Sequence, residues 1–255
     1  MSEQVEHINP YGGTGAKHRQ VRRMFDSIAP AYDVMNRMMT LGIDRQWRAR
    51  AVNGLAESAP ARVLDIATGT GDLAIAIARR LPGSRVTGVD LSEGMIAVGR
   101  DKVRQAGLAD RVTLQAADAL HLPFADGSFD AVTVAYGVRN FEHIDRGYAE
   151  MLRVLRPGGR LCVIELTPPK SAWVKPFYAV YTRAVIPLVG RLVSHDRRAY
   201  TYLPQSIRAV PARGRMLDLI MGAGFADARC HDLTFGVCAI YTATKPPVGA
   251  EPKQR

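Results

Sequence analysis

Val63-Leu64-Asp65-Ile66-Ala67-Thr68-Gly69-Thr70-Gly71-Asp72 sets the architecture of this 255-residue chain. An apolar run predicts a buried parallel strand, a carboxylate lies near its C-terminal end, a glycine-rich turn follows, and a helix begins at Asp72. Glycines belong in such a turn because it needs backbone conformations that side chains resist, and because a ligand must lie against bare backbone. The next strand, Arg85-Val86-Thr87-Gly88-Val89-Asp90, ends in a second carboxylate, about twenty residues on, where nucleotide-binding units place a ribose acceptor. The turn is Gly-x-Gly-Asp, without a third glycine, and Asp72 at the helix start would repel a pyrophosphate. An acidic rim of Asp65 and Asp72 suits a cationic ligand, and S-adenosylmethionine, with its sulfonium and ammonium groups, fits.

Composition narrows the class. Close to half of the residues are hydrophobic, enough for one large α/β domain with additions. Lys+Arg 34 against Asp+Glu 24 gives a net charge of +10, which attracts phosphate-bearing surfaces. The three cysteines, Cys162, Cys230 and Cys238, lack Cys-x-x-Cys spacing and suggest a reducing cytoplasm rather than a disulfide framework or a zinc site. The six histidines are scattered without ligand spacing, so no metal is expected. The first ten residues do not read as a signal peptide. The apolar segment 179–193 is broken by Arg183, Pro187 and Arg191 and falls short of a membrane span.

Along the chain, residues 1–17 read as a mobile arm and 18–60 as an N-terminal helical lid, in which Tyr32, Asn36 and Met39 share one helix face. Residues 61–245 form the main domain: helix 72–81, strand 85–90, helix 93–105 capped by Ser92, strand 111–116, strand 131–135, helix 144–155, strand 160–166, helix 216–223 and a terminal strand pair at 228–233 and 237–244. Asp118-Ala119, just after the third strand, is placed to meet an adenine amine. The fourth strand delivers Tyr136-Gly137-Val138-Arg139-Asn140 to the same edge, and ligands in open α/β sheets sit outside the carboxyl ends of the strands. Residues 170–212 interleave aromatic and basic side chains and read as a cap inserted in that domain; 246–255 read as a disordered tail.

The motifs VLDIATGTGDL, GVDLS, ADALHLPFADGSFDAVTVAYGVRN and MLRVLRPGG resemble those of class I S-adenosylmethionine-dependent methyltransferases. That resemblance implies a Rossmann-like, doubly wound seven-stranded sheet. FDSIAPAYDVMNRMMTLGIDRQWR, AYGVRN, RVLRPGGRLCVIEL, AYTYLPQSI and GVCAIYTATK are similar to the menaquinone and ubiquinone biosynthesis C-methyltransferases, nearly throughout the chain. Departures from that family's pattern at Asp44, Thr167 and Tyr241 lie outside the cofactor motifs. The resemblance implies methylation of a ring carbon of a prenylated quinol, demethylmenaquinol to menaquinol, with the ubiquinone branch as the alternative.

The cofactor is expected at Asp65, Gly69, Thr70, Gly71, Asp90, Asp118 and Ala119. Arg139 and Asn140 are the expected catalytic pair, Arg139 stabilising a developing phenolate and Asn140 orienting the ring, with Tyr32 and His195 as proton-relay candidates. The basic-aromatic stretch suggests peripheral contact with an anionic membrane at its inner face; a homodimer is compatible with the sequence. Two rivals remain, a nucleic-acid methyltransferase and a non-catalytic binder of the cofactor. Against the first, the fourth strand ends in Ala135-Tyr136-Gly137-Val138-Arg139-Asn140, not in an Asn/Asp-Pro-Pro-Tyr motif, and no nucleic acid is expected as partner.

Overall fold

The computed structural model describes residues 3–171, 173–181, 197–247 and 249. Its centre is a seven-stranded sheet, built from β1 (Arg62–Ile66), β2 (Arg85–Asp90), β3 (Val112–Ala116), β4 (Phe129–Ala135), β5 (Leu155–Leu166), β6 (Ala226–Leu233) and β7 (Cys238–Thr244). Its order is β3-β2-β1-β4-β5-β7-β6, with β7 antiparallel to both neighbours and the other pairings parallel. β1 is central, and from Val63 onward every residue in it is buried, as helices on both faces require. Strand order reverses between β1 and β4, the switch point at which the carboxyl ends open a crevice. The seven-stranded doubly wound expectation holds.

The helices of this layer are α1 (Lys17–Ile28), α2 (Tyr32–Thr40), α3 (Asp44–Ala56), α4 (Asp72–Arg80), α5 (Glu93–Gln105), α6 (Ile144–Val154), α7 (Val174–Val180), α8 (Arg197–Arg208) and α9 (Arg213–Gly222). One face of the sheet packs Leu64, Val132 and Val163 against Tyr148 and Met151 of α6 and Met216 of α9. The other packs Val63, Val86 and Ile164 against Val52, Ile77 and Ile96 of α3, α4 and α5. A smaller third core joins Met24, Ile28 and Met35 of the N-terminal helices to Met95 and to Ala199 and Tyr202 of α8. Trp47 fastens α3: it is buried, donates to the Thr234 hydroxyl at 2.8 Å and meets the Tyr136 ring edge-on at 6.5 Å.

The boundaries shift in places. β4 starts two residues before Ala131, and β5 absorbs the Arg156-Pro157-Gly158-Gly159 turn, with a register shift against β4 there. The stretch expected to be a mobile arm is docked. Val5 is 0 % exposed, and the Glu6 carboxylate accepts from the amide of Ile144 at 2.7 Å. The buried Lys17 ammonium donates to the carbonyls of Val5, Arg139 and Phe141 at 2.7, 3.1 and 3.1 Å. Burial pushes that amine down to about 8 against the pull of Glu6. Most of the expected tail, and Arg183, Arg191 and His195 of the cap, lie outside the described residues.

Gly88 in β2 lets the turn after β1 lie close. A Cβ there would sit 2.5 Å from Leu114 and 2.8 Å from the Thr68 hydroxyl. Gly88→Ala is therefore expected to destabilise the fold by about 1–3 kcal/mol through overpacking. Urea unfolding measures it, and an unchanged midpoint would mean that the turn and strand separate freely.

Candidate functional site

At the carboxyl edge of the sheet the chain forms a cleft lined by Gly69, Asp90, Asp118, Ala119, Tyr136 and Asn140, with His18, Phe25 and Tyr32 of the lid completing it. The turn after β1 is shaped by unusual backbone. Gly69 and Gly71 have φ of +55° and +79°, and Ala67 and Tyr136 hold +51° and +59° despite their side chains. Such conformations cost energy and persist where the surroundings impose them, commonly at ligand sites. Gly69 presents bare backbone: a Cβ there would stand 3.8 Å from the Tyr32 ring.

The Asp90 carboxylate, at the end of β2, accepts from the amides of Gly69 at 2.8 Å and Ser92 at 2.9 Å. Burial raises its pKa, and these amides counter the rise. They fix both oxygens in the cleft while leaving lone pairs for a ligand diol. Asp118 is held the same way, accepting from the amide of Leu120 at 2.9 Å. Gly69, Asp90, Asp118 and Ala119 thus come together as the sequence suggested.

Asp65, Thr70, Gly71 and Asp72 do not line this cleft. Asp65 is 1 % exposed and accepts from the hydroxyls of Thr68 at 2.6 Å and Thr133 at 2.7 Å; burial raises its pKa to about 6. It braces the turn from beneath. The Thr70 hydroxyl donates to Asp33 at 2.5 Å. Burial works to raise the Asp72 carboxyl, but Lys102 at 2.6 Å and Arg48 at 3.2 Å hold it below its usual value. The expected acidic rim of Asp65 and Asp72 is therefore replaced by Asp90 and Asp118, because the first two carboxylates are engaged by the protein's own donors.

A second cavity, of about 230 Å³, adjoins the first and is mostly apolar and aromatic; Met39, Trp47, Tyr178, Tyr181 and Leu203 are among its walls. The helix face expected from Tyr32, Asn36 and Met39 lines it. Tyr32 and Tyr136 wall both cavities. Asn140 lines the cleft and a smaller apolar hollow shared with Arg139 and Tyr202. Its Oδ1 accepts from the Tyr202 hydroxyl at 2.9 Å, which sets the amide's orientation.

Arg139 is the one guanidinium among the described residues in the walls of the second cavity. It is 6 % exposed, and its Nη1 donates to Glu165 at 2.6 Å and to the Tyr136 carbonyl at 2.5 Å. Glu165 is 0 % exposed and also accepts from the amides of Leu166 and Arg139. Burial alone would lower the Arg139 pKa, but Glu165 beside it outweighs that, so the cation persists. Its Nε is buried with no partner among the described residues. Burial also raises the phenols of Tyr32 and Tyr178, the latter to about 12, so both stay protonated at neutral pH.

Glu165 was not singled out by the sequence reading, although an acid inside Leu161-Cys162-Val163-Ile164-Glu165-Leu166 is itself a signal that a buried cation waits nearby. Tyr202 and Lys17 carried no comparable signal.

A model of the ubiE/COQ5 methyltransferase family matches residues 13–245. The chain is 47 % identical over 245 residues to a demethylmenaquinone methyltransferase of Bacteroides fragilis, covering 96 % of this chain and 100 % of that one. It is 47 % identical to one from Thermus thermophilus, covering 88 % and 100 %. Among solved structures, the [4+2]-cyclase SpnF superposes with a TM-score of 0.67 at 21 % identity, covering 90 % of this chain and 96 % of that one. An S-adenosylmethionine-dependent methyltransferase from Thermotoga maritima, described as a possible histamine N-methyltransferase, superposes at 0.59 with 20 % identity, covering 88 % and 99 %. At those identities the likeness to solved structures concerns the fold.

Proposed function

The chain belongs to the ubiE/COQ5 methyltransferase family, and from that premise we propose that it methylates a ring carbon of a prenylated quinol, converting demethylmenaquinol to menaquinol with S-adenosylmethionine as donor. The observation that carries the reading is the meeting of two cavities at Tyr32 and Tyr136, one presenting the carboxylates of Asp90 and Asp118, the other lined mostly by apolar and aromatic side chains with Arg139 the one cation among its described walls. The cofactor, when bound, supplies an electrophilic methyl group on a sulfonium and departs as a neutral thioether.

Asp90 accepts the ribose hydroxyls, Gly69 gives the backbone room to approach, and Asp118 with Ala119 meets the adenine. The quinol ring lies in the apolar cavity beside Arg139, with the Asn140 amide facing its reacting edge from the cleft. Loss of a hydroxyl proton makes the adjacent ring carbon nucleophilic; the new C–C bond forms as the methyl–sulfur bond breaks, and that carbon then gives up its hydrogen as a proton while the oxygen is reprotonated, so one proton is released overall. Arg139 stays charged and cannot accept the proton. Its task is electrostatic: the guanidinium in the cavity wall stabilises a developing phenolate oxygen. Tyr32, between the cavities, packs the ring in line with the methyl group.

No helix among the described residues is long and apolar enough to cross a membrane. Leu41, in the wall of the quinol cavity, is 90 % exposed, and Trp173, Val180 and Phe235 are also exposed. These side chains support peripheral contact with the inner face of the membrane, where the prenyl tail would enter.

Incubation with S-adenosylmethionine and a reduced demethylmenaquinone analogue tests the reaction: a mass gain of one methyl group is expected, and cofactor retention without turnover would favour a non-catalytic binder. Asp90→Ala is expected to weaken S-adenosylmethionine binding by about 1.5–3 kcal/mol, the range for hydrogen bonds to a charged group. Calorimetry showing unchanged affinity would remove Asp90 from the cofactor site.

A further inference from the structure

A surface groove of about 630 Å³ lies between α2, α3, α4 and α5 and shares no lining residue with either cavity of the active site. Six cations line it, Arg37, Arg45, Arg48, Arg79, Arg80 and Lys102, against one acid, Asp72. Two of the six are neutralised from within. Arg48 pairs with Asp44 at 2.7 Å and with Asp72 at 3.2 Å, while Lys102 pairs with Asp33 at 2.5 Å and with Asp72 at 2.6 Å. Among the described residues, the Arg80 side chain donates to the neutral amide of Asn53, at 3.1 Å, and to no carboxylate. Arg37, Arg45 and Arg79 are exposed and have no carboxylate partner among the described residues.

Three helices, α2, α3 and α4, thus bring guanidinium groups without a carboxylate partner among the described residues to one depression with an apolar floor that includes Val52 and Ile75. Solvation of Arg79 and Arg80 at the C-terminal end of α4 accounts for those two alone, since cations are favoured there. It does not account for Arg37 and Arg45 converging from α2 and α3. Guanidinium groups recognise phosphate oxygens bidentately, and a low-dielectric floor strengthens the attraction. We infer that this groove binds a phosphate-bearing anion at a site separate from the methyl-transfer centre. The inference does not depend on which quinol is methylated. Two sources share the chemistry, a free di- or polyphosphate and the headgroup of an anionic lipid.

The test compares the native protein with R37Q/R45Q/R79Q and with R62Q/R146Q/R229Q, which removes three exposed cations elsewhere and so matches the change in net charge. Calorimetry with inorganic diphosphate at low salt is expected to show saturable binding, weakened about tenfold or more in the groove variant and little changed in the control. Both variants should keep native cofactor affinity. Flotation with phosphatidylglycerol vesicles against phosphatidylcholine vesicles is the second arm. Loss of anionic-vesicle binding in the groove variant alone assigns the lipid source; loss of diphosphate binding alone assigns the soluble one. Equal loss in both variants, or no saturable binding of either probe by the native protein, would overturn the inference.

Discussion

Arg139→Leu is expected to lower turnover about a hundredfold or more while S-adenosylmethionine affinity stays within about threefold of native, the loss typical when a donor to a developing oxyanion is removed. Arg139 lines the proposed quinol cavity and the smaller hollow beside it, not the proposed cofactor cleft, so its removal should spare ground-state cofactor binding. The interaction strengthens only as negative charge gathers on the quinol oxygen, so the effect belongs in kcat. Leucine also strands the Glu165 carboxylate, and Arg139→Lys controls for that. Lysine keeps a cation beside Glu165 but has no counterpart of the planar guanidinium, so it should fold and still turn over slowly. Single-turnover methyl transfer alongside cofactor calorimetry separates the outcomes. A loss confined to cofactor affinity would show that the guanidinium serves binding and not chemistry.

The second large effect is on stability. Glu165→Ala should destabilise the protein by about 3–5 kcal/mol, because it leaves a buried guanidinium with no counter-ion and removes the acceptor of two backbone amides. The pair itself is a weaker source of stability than either half is a source of instability once alone. Glu165→Leu combined with Arg139→Met should therefore cost much less than the sum of the two single changes. Denaturant midpoints across that cycle measure the coupling. Additive losses would mean that the two side chains do not depend on each other, contrary to their 2.6 Å contact.

The succession of strands along the chain and the proposed cofactor cleft were legible because both follow from one-dimensional pattern. A carboxylate at the C-terminal end of a parallel strand arrives at the sheet edge wherever that strand is placed, so Asp90 and Asp118 needed no tertiary information. Asp65 obeys the same positional logic yet lies beneath the turn. What diverts it is Thr133, a hydroxyl 68 residues away on the neighbouring strand. Asp72 is diverted by Lys102, one helix later, and Thr70 by Asp33 of the lid. These choices depend on which donors fold into reach, and spacing does not encode that. The N-terminal segment was misread for the same reason. Its composition is that of a solvated arm, and only the pocket formed with Ile144 and Phe141 gives Val5 and Lys17 something to bury against.

The anchoring of Lys17 bears on how the protein comes into being. A chain leaves the ribosome N-terminus first, and folding units form as their partners emerge. Lys17 is made long before its acceptors at Arg139 and Phe141, and those residues reach their final positions only when Glu165 is present to hold Arg139. β7, the strand that inserts between β5 and β6, is made later still. This segment therefore has no seat during most of synthesis, and the loop carrying Arg139 closes near the end, around an amine made 122 residues earlier. Nascent chains cut short before residue 141 would carry this segment exposed to protease, and release of the finished chain would be the point at which it becomes protected.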